Sequence, residues 1–146
     1  MKDLSGLIGQ ELGVGEWMEV TQDRVDAFAN ATDDHQWIHE AGEQAVNGPF
    51  GGPIAHGFLT LSLLTPLTAA IMKPLAEGAV MAINYGLDKV RFITPLRVGS
   101  RIRARVVLSE VKPIENGVQV KTETTIEIDG AARPAAAVES LVRLYG

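Results

Sequence analysis

Gly57-Phe58-Leu59-Thr60-Leu61-Ser62-Leu63-Leu64-Thr65-Pro66-Leu67-Thr68-Ala69-Ala70-Ile71-Met72-Lys73 is the stretch on which the fold turns. Apolar residues recur nearly all round a helix of 3.6-residue period, and no charged face interrupts them before Lys73. A helix without a polar side is covered by other elements. The run rises about 25 Å if unbroken. Pro66 predicts a mild kink or the loss of one backbone bond. Four hydroxyl side chains and too few residues argue against a membrane span, which needs about 20 apolar residues.

The cover comes from the C-terminal half. Val80 to Ile93 reads as a strand, with Gly86 as a bulge or bend. From Arg101 to Val111 the chain alternates, with Ile102, Ala104, Val106 and Leu108 facing one way and Arg101, Arg103 and Arg105 the other. Glu115-Asn116-Gly117 is a hairpin signal, because Asn-Gly tolerates positive φ. Val118 to Ile128 alternates again, Asp129-Gly130 signals a second hairpin, and Ala135 to Leu144 forms the last strand. Tight turns between long strands imply an antiparallel sheet. The fold class expected is therefore α+β, a long apolar helix wrapped by an antiparallel sheet. Upstream, Thr21 caps a helix over Gln22 to Ala31, Thr32 to Gln36 is a turn, and Glu40 to Val46 makes one or two helical turns. Gly48 to Pro53 concentrates glycine and proline and is a loop. With 146 residues, positions 1–146 are expected to form a single domain.

Composition narrows the function classes. The chain is 46% hydrophobic and 21% charged, ordinary globular proportions. It has no cysteine, which excludes a disulfide framework, thiol catalysis and a Cys-rich zinc site, and fits a reducing, cytoplasmic setting. A net charge of -5 argues against nucleic acid. The local basic run Lys89, Arg91, Arg97, Arg101, Arg103, Arg105 is either a solvated face or a patch for a phosphate-bearing small ligand. The start, Met1 to Gln10, lacks the apolar core of a signal peptide. No phosphate-cradling or dinucleotide glycine motif occurs, so no cofactor is expected. There is no His-Glu-x-x-His. His35 and His39 stand four apart on a turn rather than on one helix face, so no metal is expected.

Chemistry concentrates between positions 33 and 57. Asp34 and His39, five apart across a turn, can hold one water between a carboxylate and an imidazole. The alternative is a turn-capping Asp and a half-buried packing His. Ile54-Ala55-His56-Gly57-Phe58 lies where the apolar helix begins, and unpaired first-turn N–H groups can stabilise an oxyanion. Gly57 lets a carbonyl approach closely, or is a plain glycine at a helix entrance. Ser62 bonds back to its own helix or faces the site. His56 is a ligand, a base or a structural hydrogen-bonder.

Taken together these segments resemble a known family. Phe28-Ala29-Asn30-Ala31-Thr32-Asp33-Asp34-His35-Gln36-Trp37-Ile38-His39 resembles the hydratase motif of MaoC-like dehydratases and (R)-specific enoyl-CoA hydratases, in the version related to nodulation protein N. Gly51 to Leu63 resembles that family's central-helix entrance. Asn84 to Phe92, with Pro95 and Val98-Gly99-Ser100, resembles the strand after it. The resemblance implies a hotdog fold, a homodimer, and an acyl chain lying between helix and sheet. It implies reversible hydration of a trans-2-enoyl thioester, carried by coenzyme A or acyl carrier protein, to the (R)-3-hydroxyacyl thioester. Asp34 and His39 would be the catalytic pair and Gly57 the oxyanion hole. Ser62 and His56 would support the site, and Ile54, Ala55, Phe58, Tyr85 and Arg91 would contact substrate. No cofactor, nucleic acid or membrane enters that picture. The rival readings are a hotdog thioesterase and a non-catalytic acyl-thioester binder. One departure stands out: Asp33 occupies the place where the family usually has glycine, which predicts strain if its φ is positive.

Overall fold

The structure, a computed structural model, describes all residues from Met1 to Gly146. A 3₁₀ turn at Ser5–Leu7 leads into two short strands, β1 (Glu11–Val14) and β2 (Met18–Glu19). The first helix, α1, spans Gln22–Thr32, and the Thr21 side chain caps it by accepting from the Arg24 N–H at 3.2 Å. Trp37–His39 is a 3₁₀ turn and α2 covers Glu43–Val46. The apolar run follows as α3 (Gly57–Ser62) and α4 (Leu64–Met72), and then come four long strands. These are β3 (Met81–Phe92), β4 (Arg101–Ile114), β5 (Gly117–Ile128) and β6 (Ala136–Tyr145).

The single rod expected over Gly57–Lys73 is broken at Leu63. Pro66 supplies the reason. Its ring excludes the carbonyl four residues earlier, which belongs to Ser62, and it has no N–H to offer there. The bonds on either side survive, Leu63 N to Leu59 O at 3.0 Å and Leu67 N to Leu63 O at 3.0 Å.

One antiparallel sheet runs in the order β1-β4-β5-β6-β3, with β2 also pairing β4. Its inner face holds the alternating residues read from the sequence: Ile102, Ala104, Val106 and Leu108 are all fully buried. Leu59, Leu63 and Leu67, one helical turn apart, pack onto that face with Ile126 and Val138. On the outer face three residues of the basic run are paired. Arg101 bridges to Asp129, Arg103 to Glu127 at 3.2 Å, and Arg105 to Glu11 at 2.6 Å. The Lys121 ammonium donates to Asp88 and to Glu139, which holds it above the ordinary lysine range. Of the two readings of that run, the solvated face fits these three arginines.

At the opposite edge, β3 has no neighbour beyond it. Its side chains are exposed on both faces, Met81, Ile83, Tyr85, Leu87 and Phe92 among them. The register slips at Tyr85 and again at Asp88, so two bulges flank Gly86. No helix is long and apolar enough to cross a membrane.

Candidate active site

Two segments that the sequence separates are fastened together beside the entrance of α3. Ile54 N donates to Ile38 O at 2.9 Å, His39 Nδ1 to Ile54 O at 2.7 Å, and His56 Nε2 to Asp34 O at 3.0 Å. Gln22 of α1 adds a bond from its Nε2 to His39 O at 2.9 Å. The result brings Asp34, His39 and His56 together, with one side-chain donor atom of each within 4.8 Å of the others. His39 and His56 are buried, and Asp34 is exposed.

These bonds assign the imidazole tautomers. A carbonyl only accepts, so His39 carries a proton on Nδ1, and in the neutral ring Nε2 is the lone pair. His56 carries its proton on Nε2, and its Nδ1 is buried without a partner. The two rings stack at 3.7 Å between centroids and 23° between planes. A carboxylate with two imidazoles is a donor set that zinc accepts. Two imidazoles on one tetrahedral ion, however, stand about 5 Å apart between ring centres with their lone pairs converging. Stacked rings do not meet that requirement, so the arrangement suits proton handling better than metal binding.

Gly57 opens α3, and its N–H has no hydrogen-bond partner in the protein. A Cβ at Gly57 would stand 3.0 Å from the Phe92 ring, so a side chain there fits only if that half-exposed ring shifts. Phe58 lies beside it, its ring 6.2 Å from Phe92 and largely exposed. Beyond Leu61 and Ser62 a cavity of about 600 Å³ runs between α4 and strands β3, β5 and β6. It is lined by Leu64, Thr68 and Met72 on the helix side and Asn84 and Thr124 on the sheet side. Its near end is one turn past Gly57, about 6 Å along the helix.

The other expected site residues distribute as follows. Ile54 and Ala55 are buried and form the strap that receives His39 and Leu96. The Ser62 hydroxyl donates to Phe58 O at 2.8 Å, so of its two readings the back-bond is the one observed, and the residue still borders the cavity. Tyr85 also borders the cavity and lies under the Arg143 guanidinium at 3.4 Å. Arg91 lies away from the cavity lining. Strand alternation sends Phe92 toward Gly57 and Arg91 to the outer side, where Arg91 bonds to Val90 O. His35 is exposed and takes no part in the cluster. The sequence did not reveal that His56 reaches the Asp34 loop, because that contact spans 22 residues and forms only when both segments dock.

Residues 3–130 match the family model described as MaoC like domain. The chain belongs to the MaoC-like family. Among MaoC-like relatives, 3-hydroxyacyl-thioester dehydratase Z of Mycobacterium tuberculosis is 49% identical over 142 residues, which is 97% of this chain and 93% of that protein. Nodulation protein N of Rhizobium leguminosarum bv. viciae is 50% identical over 137 residues, covering 92% and 84%. Of solved structures, the (R)-hydratase from A. caviae involved in PHA biosynthesis superposes with a TM-score of 0.75 at 26% identity, covering 94% of this chain and 96% of that one. The helix wrapped by an antiparallel sheet is thus the hotdog fold of MaoC-like proteins, as the motifs implied.

Proposed function

We propose that this MaoC-like chain is a hydratase and dehydratase of acyl thioesters, interconverting a trans-2-enoyl thioester and its (R)-3-hydroxyacyl thioester. The names of its relatives, a 3-hydroxyacyl-thioester dehydratase and an (R)-hydratase, support the reaction class. The observation that carries the reading is the His39 tautomer. With Nδ1–H held by Ile54 O, the Nε2 lone pair is free to act as a base beside the Asp34 carboxylate.

A water held between Asp34 and His39 Nε2 gives up a proton as its oxygen bonds to C3 of the enoyl group. The electrons of the C2=C3 bond pass to C2 and the thioester carbonyl. The enolate oxygen accepts a hydrogen bond from Gly57 N–H. A proton from the pair then returns to C2, so that H and OH are added overall and no electrons leave the substrate. The reaction therefore calls for no redox cofactor.

The acyl chain would extend past Leu61 and Ser62 into the cavity, with Ile54, Ala55 and Phe58 at its mouth. Coenzyme A or acyl carrier protein would carry the thioester, since both present the same phosphopantetheine arm. The proposal includes a homodimer joined along the open apolar edge of β3 and a cytoplasmic setting. It includes no nucleic-acid or membrane partner.

Hydration of crotonyl-CoA, followed as loss of enoyl absorbance, tests the reading. Asp34→Asn and His39→Ala each lower kcat/KM by about 10²-fold or more, with far-ultraviolet spectra unchanged, and His39→Ala also lowers Tm because it removes the buried bond to Ile54 O. Full activity in both folded variants removes the pair from the mechanism. Release of free thiol without a 3-hydroxyacyl product makes the chain a thioesterase instead.

A further inference from the structure

The His56 ring is 2% exposed and is held between two others, stacked on His39 at 3.7 Å and tilted against Phe28 at 4.9 Å. An apolar residue would fill that space without stranding a polar atom. Instead the chain keeps an imidazole whose Nδ1 is buried and unpartnered, an arrangement with a desolvation cost. The compensation is on the other ring nitrogen. Nε2–H donates to the backbone carbonyl of Asp34, and this is the only hydrogen bond that ties Asp34 to another segment. The remaining contact of that carboxylate is local and long, from Gln36 N at 3.4 Å. Asp34 also follows Asp33, which sits at φ 59 and ψ 24 where α1 ends, so the loop leaves the helix in a left-handed turn. The other bonds that fasten this loop fall at Ile38 and His39, so His56 alone holds its Asp34 end.

We propose that His56 is a positioning residue: through Nε2–H on the Asp34 carbonyl and its face on the His39 ring, it sets the spacing of the reacting carboxylate and imidazole. It acts through those two residues rather than on the reacting atoms. Its neutral Nε2–H tautomer is the functional form, because only that form both donates to Asp34 O and leaves no buried N–H without an acceptor. The inference rests on Asp34 and His39 being the reacting pair. It goes beyond that reading by assigning the geometry of the pair to a third side chain 22 residues from Asp34.

Two substitutions separate positioning from bulk. His56→Leu fills the space but has no donor. His56→Gln places an amide N–H near the position of Nε2. With crotonyl-CoA, His56→Leu is expected to lower kcat by about 10–100-fold, the range that misplacement of a reacting group produces, with KM within about threefold because substrate contacts are untouched. His56→Gln is expected to recover most of the loss. Equal loss in both variants with melting temperatures matching wild type, or no loss in His56→Leu, overturns the proposal. Histidine ring ¹⁵N spectra of the resting protein give a readout independent of turnover. They are expected to show His56 protonated on Nε2 and His39 on Nδ1, and hydrogen exchange at residues 34–36 is expected to quicken in His56→Leu. A His56 protonated on Nδ1, or unchanged exchange at 34–36, refutes the anchoring even if the chain hydrates. If the chain hydrates no enoyl thioester, the hydratase reading fails, while the spectra and exchange still decide the anchoring.

Discussion

Asp33→Gly isolates the backbone strain beside the reacting carboxylate. Asp33 ends α1 at φ 59 and ψ 24, the left-handed region. An L side chain there costs about 1–2 kcal/mol, and Asp lies at the low end because its short side chain is better tolerated. Its carboxylate also stands at the C-terminal end of the helix, opposing the helix dipole by about 0.3 kcal/mol at an exposed position. Against these gains, glycine loosens the unfolded chain by about 0.4–1 kcal/mol. The net expectation is a stabilisation of about 0.3–0.9 kcal/mol. For 146 residues, an unfolding entropy of about 2.1 cal/mol/K per residue makes that a rise in Tm of about 1–3 °C. Thermal denaturation followed by circular dichroism at one fixed protein concentration reads it, since association shifts Tm. Asp33→Asn removes the charge and keeps a residue that tolerates the turn, so it should rise by no more than about 1 °C. A Tm for Asp33→Gly at or below wild type, or no better than Asp33→Asn, refutes the strain argument. Crotonyl-CoA hydration should stay within about threefold of wild type, as the Asp33 side chain makes no hydrogen bond. A gain of tenfold or more would instead mean that Asp33 holds the resting site in a poorly active form.

Two further outcomes follow from contacts already described. Gly57→Ala drives a methyl group to 3.0 Å from the Phe92 ring, so both hydration rate and Tm should fall, the latter by an overpacking cost of about 1–3 kcal/mol. Phe92→Leu in the same chain should restore part of both, and a double variant no better than Gly57→Ala rules the clash out as the cause. Ile83→Lys on the open edge of β3 should convert a dimer to a species near the chain mass of 15.6 kDa in sedimentation; an unchanged dimer mass places the interface elsewhere.

The parts of the fold legible in the sequence were those set by local period. The alternation of Ile102 to Leu108 read correctly because each residue's face depends only on its neighbours in the strand. The Asn116 turn read correctly because its φ of 58 is a local requirement. Pro66 announced a kink, and the i-4 rule explains why the break falls at Leu63 rather than at Pro66 itself. Strands β1 and β2 were missed because the alternation of Leu12 with Val14, and the two residues of β2, are too short to register. The pairing of Arg103 with Glu127 shows why register was harder. A regular hairpin from Ile114↔Gly117 would set Arg103 opposite Ile128, and the bulge at Ser109 shifts it by one to Glu127. In the site, Asp34 and His39 were legible because five residues across a turn keep them close. The tie from His56 to Asp34 was not, since sequence spacing carries no information about which segments dock. Arg91 was placed by motif alone, without the face it occupies on β3.

The fastening between residues 34–39 and 54–56 has a practical consequence for handling the protein. Its partners are two irregular segments, one of them continuous with the Gly48–Pro53 loop, whose Phe50 carbonyl is held by Arg97 at 3.0 Å. The sheet does not depend on those bonds. Mild heating or ageing that loosens the loop would therefore silence the protein while its far-ultraviolet spectrum stays native. Specific activity, rather than any measure of secondary structure, is the proper gauge of a stored preparation.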